Sequence, residues 1–373
     1  MHGKAAMGKL MHAIGLMSGT SMDGIDVALI TTDGEDRLER GPGCSFPYSD
    51  AVRAQLRAGL ADATVVRRRA DRPGRLAMLE QYLTDLNAEA IAHFCEDRLI
   101  GAEGVDVIGF HGQTVLHRPD AALTVQLGDG RRLAAATGID VVYDMRAADV
   151  AAGGQGAPMA PVYHRAMLAD VPQRPVAVVN IGGVANVTWI GRDGRLLAFD
   201  TGPGNAMIDD WMMRKTGHPH DPDGRVAAQG SVREDYVTEY LKHSYFALPP
   251  PKSLDRNMFA VELVHALPLA DGAATLTAFA ATSIARAREQ FPQEPRLWVI
   301  TGGGRKNKTL MSMIAGRVEN AVVPAEAVGL DGDSIEAEAW AYLAVRSLRG
   351  LPLTFPGTTG VPEPHSGGVL ARR

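Results

Sequence analysis

Two segments far apart in the chain share one pattern: an apolar strand, a glycine-rich turn and a second strand. The first spans Ile14 to Ile30 and turns at Ser18-Gly19-Thr20-Ser21-Met22-Asp23-Gly24. The second, Asn180-Ile181-Gly182-Gly183-Val184-Ala185-Asn186, echoes it in shorter form. Two such hairpin turns, one in each half of the chain, would face each other across a cleft and suit the two sides of a triphosphate.

The first turn has the residue types that an anion-binding loop needs. Glycine lets the backbone approach a ligand closely, and successive backbone N–H groups in a turn form a concave anion site. The serine and threonine hydroxyl groups add donors, while Asp23 and Asp26 are candidates to hold Mg²⁺ through water. This device differs from a P-loop, whose GxxxxGK[ST] motif does not occur. An ordinary polar hairpin turn is the alternative interpretation.

Composition restricts the class of protein. The chain has 373 residues, of which 46% are hydrophobic and 22% charged, with a net charge of −5. This profile is typical of a globular protein with two domains, and it lacks the basic patches that favour nucleic acid or membrane surfaces. The two cysteines, Cys44 and Cys95, indicate neither a disulfide framework nor a zinc site. With no signal peptide and no apolar run of 18 residues, we expect a cytoplasmic protein.

Hydrophobic periodicity predicts a mixed α/β fold. Helical spacing is clear from Leu79 to Phe94. The predicted strands are Val105 to Phe110, Leu123 to Leu127, Asp140 to Tyr143, Val176 to Ile181, Val184 to Ile190, Leu196 to Phe199, Leu297 to Thr301 and Ala321 to Val323. The other predicted helices are Ala206 to Lys215, Ala273 to Gln290, Lys308 to Ala315 and Ser334 to Leu348. We expect one domain over 1–143, with 355–373 as a candidate to rejoin it, and a second over 144–354, the seam lying near Asp144 to Gly156.

Asp200 lies in the motif Phe199-Asp200-Thr201-Gly202-Pro203-Gly204-Asn205, at the end of a predicted strand and before a turn. Loops that follow strands often hold catalytic groups in α/β proteins. Asp200 is therefore a candidate general base. The alternative is an aspartate that only stabilises the turn.

The motif Gly109-Phe110-His111-Gly112-Gln113-Thr114 also follows a predicted strand. His111 is a candidate ligand-facing group, although a histidine with a purely structural hydrogen bond fits equally well. Gln113 both donates and accepts, which suits a sugar hydroxyl or acetamido group. Farther on, Arg146 could bind a carboxylate in bidentate fashion; its alternative is an ion pair with Asp144 or Asp149.

Two later features are also candidates. Gly302, Gly303 and Gly304 follow an apolar strand and precede a helix, an arrangement in which backbone N–H groups can contact a nucleotide; a tight connection is the alternative. Glu336 shares a helix face with Ala339, Trp340 and Leu343. A carboxylate on an apolar face is costly to bury unless it is paired or used, although its first-turn position also suits the helix dipole.

Taken together, these motifs resemble the anhydro-N-acetylmuramic acid kinase family from about Ile14 to Gly350. The carrying motifs are MSGTSMDGID, GFHGQT, Asp144-x-Arg146-x-x-Asp149 with GGQGAP, NIGGVANVT, FDTGPGN, PKS at 251–253 and TGGG. Each motif alone is weak evidence for the family, but the occurrence of all of them in this order and spacing is specific to it. Met145 stands where many relatives have an aromatic residue, and Ala147 and Ala148 where many have arginine, so Arg146 would have to make more of the sugar contacts.

The resemblance implies a two-domain fold of the actin, Hsp70 and sugar-kinase type with ATP in the cleft. It implies that water opens the 1,6-bridge of 1,6-anhydro-N-acetylmuramic acid, a product of murein turnover, while O6 takes the γ-phosphoryl group of ATP. Asp200 would activate the water. His111, Gln113, Arg146 and Glu336 would contact the sugar, and a homodimer is expected. The residues expected at ATP are Gly19, Thr20, Ser21, Met22, Asp23, Gly24, Ile25, Asp26, Asn180, Gly182, Gly183, Gly302, Gly303 and Gly304.

Two competing hypotheses belong to different classes. A kinase of the same fold for another anhydrosugar would lack the need for a cation at the lactyl carboxylate, for which Arg146 is the candidate. A nucleotide-gated chaperone or sugar-sensing regulator would need a substrate-binding β-domain or a helix-turn-helix segment, and neither is expected from the pattern. We therefore expect an enzyme.

Overall fold

A computed structural model describes residues 8–19 and 21–373 of the chain. Its twelve strands are β1 Met11–Ser18, β2 Gly24–Thr32, β3 Leu38–Pro47, β4 Val107–Arg118, β5 Leu123–Leu127, β6 Val141–Tyr143, β7 Val176–Ile181, β8 Val184–Ile190, β9 Leu196–Pro203, β10 Leu297–Thr301, β11 Ala321–Pro324 and β12 Val369–Ala371. Its α-helices are α1 Asp50–Ala63, α2 Leu76–Asp97, α3 Gly130–Thr137, α4 Met145–Ala151, α5 Pro161–Met167, α6 Ala206–Thr216, α7 Glu234–Leu241, α8 Leu269–Arg286, α9 Lys308–Ala315, α10 Ile335–Leu348 and α11 Pro356–Thr359. Within these described ranges, no helix is both long and apolar enough to span a bilayer.

The chain forms two compact units. Unit 1 contains the residues up to 169 together with 334–373, and unit 2 contains 170–333. These boundaries differ from the predicted ones at 143/144 and 354/355. The expected seam is part of unit 1, because the loop after α4 is bound to it: the N–H of Gln155 donates to the carbonyl of Thr359 at 2.7 Å. Residues 334–354 belong there as well, since α10 packs on β1, β2 and β4.

The two units share a five-stranded sheet topology, to which unit 1 adds β5 and β12. In unit 1 the order is β3-β2-β1-β4-β6-β12, and in unit 2 it is β9-β8-β7-β10-β11. Each unit begins with three antiparallel strands, and the first of these then pairs in parallel with a later strand. This duplicated arrangement is the topology of the actin, Hsp70 and sugar-kinase fold, and the predicted fold class is confirmed.

Two glycines bring α10 into direct contact with the sheet of unit 1. Gly15 on β1 is the register partner of Gly109 on β4. A Cβ atom would lie 1.8 Å from the carbonyl oxygen of Ala337 at Gly15, and 2.0 Å from that of Trp340 at Gly109. Only glycine leaves room here for the helix backbone. The pair therefore sets the position of α10.

Most predicted strands and helices are confirmed within a residue or two at each end. The helix α8 starts and ends four residues before its predicted limits. The strand β9 continues four residues past its predicted end, so Asp200 lies inside a strand, and the prediction that it follows one was wrong. The motif with His111 and Gln113 was predicted to follow a strand, and this was wrong, because both residues lie inside β4. Gly112 adopts a φ of +71°, so β4 changes direction there and continues, pairing with β5. The strand β3 and helix α1 had no counterpart among the predicted elements.

Candidate functional site

The turn between β1 and β2 is held by backbone hydrogen bonds. The N–H of Met22, which has a φ of +58°, donates to the carbonyl of Gly19 at 3.2 Å, and the N–H of Tyr48 donates to the carbonyl of Asp23 at 2.8 Å. Ser21 and Asp23 are exposed. The prediction for Thr20 lies outside the described residues. Ile25 belongs to the apolar core of unit 1, so its side chain serves the fold.

The two carboxylates proposed for Mg²⁺ have different surroundings. Asp26 accepts a hydrogen bond from the hydroxyl of Ser45 at 2.5 Å, whereas Asp23 stands exposed in the turn. In residues 8–19 and 21–373, no group of three or more His, Cys, Asp or Glu side chains is arranged to hold a metal ion. Mg²⁺ commonly uses one or two carboxylates with waters and phosphate oxygens, and Asp23 has the exposure for that.

A buried hydrogen-bond network lies at the end of β1. The hydroxyl of Ser18 donates to Oε1 of Gln113 at 2.7 Å and lies 3.0 Å from the hydroxyl of Tyr48. Gln113 also donates from Nε2 to the carbonyl of Gly19 at 3.2 Å. Gln113 therefore joins β4 to the start of the turn and helps to fix the backbone of the candidate phosphate site.

His111 and Arg146 form a pair within unit 1. Nδ1 of His111 lies 3.1 Å from the carbonyl of Ser18, and Nε2 lies 3.2 Å from both Nε and Nη2 of Arg146. Since Arg146 only donates, Nε2 must be the acceptor and Nδ1 carries the proton. Burial lowers the pKa of His111 well below its ordinary value, and the charge of Arg146 lowers it further. His111 is thus a neutral, fixed group.

Arg146 makes neither of the ion pairs that the sequence left open. Its Nη1 donates to the carbonyl of Gly156 at 2.8 Å, Asp144 pairs instead with Arg69, and Asp149 accepts from the N–H of Gly156 and the hydroxyl of Thr359, each at 2.6 Å. Burial lowers the pKa of Arg146 to about 10, while the negative charges of Glu336 and Asp149 oppose the shift. Three of its five N–H groups are used, so two can still bind a ligand.

The helix α10 completes this part of unit 1. The indole of Trp340 packs against His111, with 4.6 Å between ring centroids, and Arg146 lies 5.2 Å above the same indole. Glu336 is exposed on this helix, so the premise of a buried carboxylate at that position was wrong. The buried carboxylate is that of Glu338, which contacts Arg40 and Tyr163.

A cavity of about 170 Å³ adjoins His111 in unit 1. It lies at the bend of β4 near Gly112 and at the carboxyl end of β6; strand ends of this kind usually bind ligands in α/β sheets. The rings of Phe110 and Tyr143 give it an apolar wall, while Arg69 and Asp144 give it a charged one. Such a mixture of apolar walls and a few polar groups is typical of a small-molecule pocket.

In unit 2, the predicted glycine loops lie against each other. The N–H of Asn205 donates to the carbonyl of Gly182 at 2.8 Å, which joins the β7–β8 turn to the start of α6. Gly302 has a φ of +72°, and a Cβ there would lie 2.3 Å from Oδ1 of Asn180. Gly303 faces open space, with no atom within 4 Å of its Cβ position. Exposed backbone of this kind can approach a nucleotide closely.

Four polar residues form a row across the sheet of unit 2. Thr301 on β10 is the register partner of Asn180, Asn180 of Asn186, and Asn186 of Asp200. Directly opposed residues point to the same face. The alternate positions, such as Val179 and Val187, form the apolar core on the other face. The sheet thus carries a row of polar residues that crosses four strands and ends at Asp200 on the outer strand β9.

Asp200 has the environment of a general base. Its Oδ2 accepts the N–H of Leu254 at 2.7 Å, and none of the described residues donates a hydrogen bond to Oδ1. Burial raises the pKa of Asp200 to about 7, although the N–H of Leu254 opposes this. A carboxylate with a pKa near neutrality can take a proton from water far more readily than an ordinary aspartate.

Several residues of these surroundings were not among the predicted site residues. Tyr48, Trp340 and Tyr245 contact the predicted residues Asp23, His111 and Asp200, respectively, from a distant part of the chain. The sequence pattern indicates Trp340 only as a neighbour of Glu336 on a helix face. The spacing of the others carries no signal, because the contacts arise from tertiary packing.

Comparison with known proteins identifies the family. The sequence matches the family described as anhydro-N-acetylmuramic acid kinase over residues 11–372. Proteins of that name from Brucella canis and Rhodopseudomonas palustris are 52% and 53% identical, covering 98% and 97% of this chain and all of their own length. Among solved structures, the Acidaminococcus fermentans (R)-2-hydroxyglutaryl-CoA dehydratase component A covers 90% of this chain and 99% of its own, with 12% identity and a TM-score of 0.48. The sequence resemblance is confirmed: this chain belongs to the anhydro-N-acetylmuramic acid kinase family.

Proposed function

We propose that the chain hydrolyses the 1,6-bridge of 1,6-anhydro-N-acetylmuramic acid and phosphorylates O6 with ATP, giving N-acetylmuramic acid 6-phosphate and ADP. The substrate follows from the family that the chain belongs to. The observation that carries the mechanism is the environment of Asp200, whose pKa is raised to about 7 and whose Oδ2 is fixed by Leu254.

Asp200 acts as the base that activates water. The water oxygen bonds to C1 of the sugar, its proton passes to the carboxylate, and the C1–O6 bond breaks. O6 then bonds to the γ-phosphorus of ATP, and ADP leaves. An ordinary inverting glycosidase also needs an acid for the leaving oxygen. Here phosphorus captures O6, so one carboxylate is sufficient.

The sugar-binding groups are assigned to unit 1. His111, Gln113, Arg146 and Glu336 are the candidates, with the adjoining cavity as the place for a sugar substituent. Arg146 keeps two N–H groups available, which suits the lactyl carboxylate of muramic acid. Glu336 is exposed and close enough to Arg146 to affect its pKa, so the two can bind neighbouring groups of one ligand.

ATP is assigned to the glycine-rich segments. The turn from Gly19 to Gly24, with Ser21 exposed, offers N–H and hydroxyl donors for phosphate oxygens. The loops at Gly182–Gly183 and Gly302–Gly304 offer close approach of the backbone. Phosphoryl transfer depends on positioning and charge neutralisation. Bound Mg²⁺ would supply that neutralisation, with Asp23 as the residue best exposed to hold it through water and Asp26 as the second candidate. A homodimer is also proposed from the family, and light scattering tests it.

The decisive experiment is turnover of 1,6-anhydro-N-acetylmuramic acid with ATP in ¹⁸O-water, followed by mass spectrometry of the sugar. One ¹⁸O at C1 together with a 6-phosphate supports coupled hydrolysis and phosphorylation. A phosphorylated sugar without solvent oxygen would remove the water-activating role from Asp200. If no product forms with this sugar but another anhydrosugar is consumed, the substrate assignment is wrong.

A further inference from the structure

The segment after α7 holds Asp200 at the outer edge of β9. The N–H of Asp200 donates to the carbonyl of Lys252 at 3.0 Å, and its carbonyl accepts the hydroxyl of Tyr245 at 2.5 Å. The carboxylate accepts the N–H of Leu254 at 2.7 Å. Both backbone groups of Asp200 therefore point outward, away from its partner Asn186 on β8. Three hydrogen bonds from one segment fix the residue.

Tyr245 is itself held firmly. It lies in a short 3₁₀ helix, Ser244–Ala247, and is only 2% exposed. The ammonium group of Lys252 lies 4.7 Å from the centre of its ring and donates to its carbonyl at 3.1 Å. Tyr245 bonds to the carbonyl of Asp200 and Lys252 bonds to its N–H, and these two residues are also bonded to each other. This closed set of contacts leaves the peptide little freedom.

The geometry points to Tyr245 as a positioning residue for the proposed reaction: its hydroxyl fixes the Asp200 peptide so that Oδ2 stays on the N–H of Leu254 and Oδ1 remains free to take a proton. This inference rests on the proposed function. Errors of about 1 Å in the position of a reacting group can lower rates by about 100-fold. A hydroxyl group that fixes the base without touching substrate should therefore affect kcat more than KM.

The same geometry predicts a change in titration. In unit 2, Tyr245 bonds to the carbonyl of Asp200, the ammonium group of Lys252 lies beside the ring of Tyr245, and the charge of Arg286 acts on Lys252. The N–H of Leu254 is the contact that lowers the pKa of Asp200. If the peptide is released, the carboxylate loses part of this hydrogen bond, and its pKa rises. A residue that only stabilised the fold would not move that pKa.

The chain offers a matched control. Tyr240 also lies in unit 2, is buried, and donates its hydroxyl to a backbone carbonyl, that of Ala260, at 2.8 Å. Tyr240→Phe removes the same kind of hydrogen bond without touching Asp200. For Tyr245→Phe we expect kcat to fall about tenfold, with KM for both substrates within about twofold, and the acid limb of kcat to move to higher pH. Tyr240→Phe should keep kcat and the limb. Equal kcat values in the two variants, or an unmoved acid limb, would overturn the inference.

A second measurement separates this inference from the proposed function. The carboxyl carbon of Asp200 can be titrated by ¹³C NMR in protein labelled at aspartate, with the signal identified by its loss in Asp200→Asn. If the wild-type protein does not consume the anhydrosugar but the signal titrates at higher pH in Tyr245→Phe, the proposed function fails and the positioning role stands. If wild type is active and the signal is unmoved, the positioning role fails alone.

Discussion

Glu338 and Arg40 form a buried ion pair in unit 1, with 2.8 Å between Oε1 and Nη2. The hydroxyl of Tyr163 donates to the other carboxylate oxygen at 2.5 Å. Glu336, two residues earlier on α10, is exposed. The two glutamates of this helix therefore have different roles, and substituting each one separately distinguishes a role in stability from a role in binding.

Glu338→Ala should lower the free energy of unfolding by about 3–5 kcal/mol, because it leaves the charge of Arg40 buried without its partner. Glu336→Ala should leave the free energy of unfolding nearly unchanged. It should raise KM for the sugar about tenfold, which is the effect of losing one hydrogen bond to a charged group. Chemical denaturation and steady-state kinetics measure the two effects. An unchanged KM in Glu336→Ala would make that residue structural.

Asp200→Asn should lower kcat by about 10²–10⁴-fold, the usual contribution of a general base. The affinity for a non-hydrolysable ATP analogue should stay within about twofold, since Asp200 is assigned to the water and not to the nucleotide. Turnover and calorimetric titration give the two values. Near-normal turnover would contradict the assignment of the base.

The activity should fall as the pH is lowered through about 7, because the base must be deprotonated and burial raises the pKa of Asp200 to that value. Below pH 7, kcat should drop about tenfold per pH unit. A profile of kcat at saturating substrates from pH 5 to 9 checks this. A fall in kcat centred near pH 4 would show that Asp200 titrates as an ordinary aspartate.

The same raised pKa predicts a stability effect of known sign. Between the unfolded and folded pKa values the folded state binds more protons, so stability contributed by this group falls as pH rises toward 7. Asp200→Asn removes the group and should therefore raise the melting temperature at pH 8 more than at pH 5. Calorimetry at both values tests the sign, and the reverse order would contradict it.

Arg146→Met should lower kcat/KM for the lactyl-bearing sugar about tenfold, because two N–H groups of Arg146 remain for a carboxylate. The matched substrate is the anhydrosugar without the lactyl ether, 1,6-anhydro-N-acetylglucosamine. Its kcat/KM should fall much less in the same variant. Equal losses with both sugars would assign Arg146 to holding His111 rather than to the lactyl group.

The fold was largely predictable, because it follows from local patterns. The strands around Asn180 and Trp298 are continuous apolar runs, and their limits were predicted correctly. The predicted domain limits, 143/144 and 354/355, differ from the limits of the two units, 169/170 and 333/334. Glycines at 153, 154 and 156 are typical of a flexible seam, yet Asp149 and Thr359 bind this loop into unit 1. A contact over about 200 residues leaves no local signal.

The candidate site was predictable only in its motif residues. Asp200 and His111 lie in short glycine-rich motifs, which have a recognisable spacing. The groups that set the position and the pKa of these two residues lie in no such motif. Nothing near Tyr245 in the sequence indicates that its hydroxyl reaches the carbonyl of Asp200, and the burial that raises the pKa of Asp200 is a property of tertiary packing.

The division of the chain between the units has a consequence for its biosynthesis. Unit 2 is one continuous segment, so all of its strands have been translated by residue 333. Unit 1 also needs α10, and α10 brings Trp340 to His111. Since domains form in the order in which the ribosome releases them, the sheet begun first is finished last. The part of unit 1 up to residue 169 therefore lacks α10 while unit 2 is being translated. During that time the sheet surface at Gly15 and Gly109, which α10 covers in the finished fold, is exposed and accessible to chaperones.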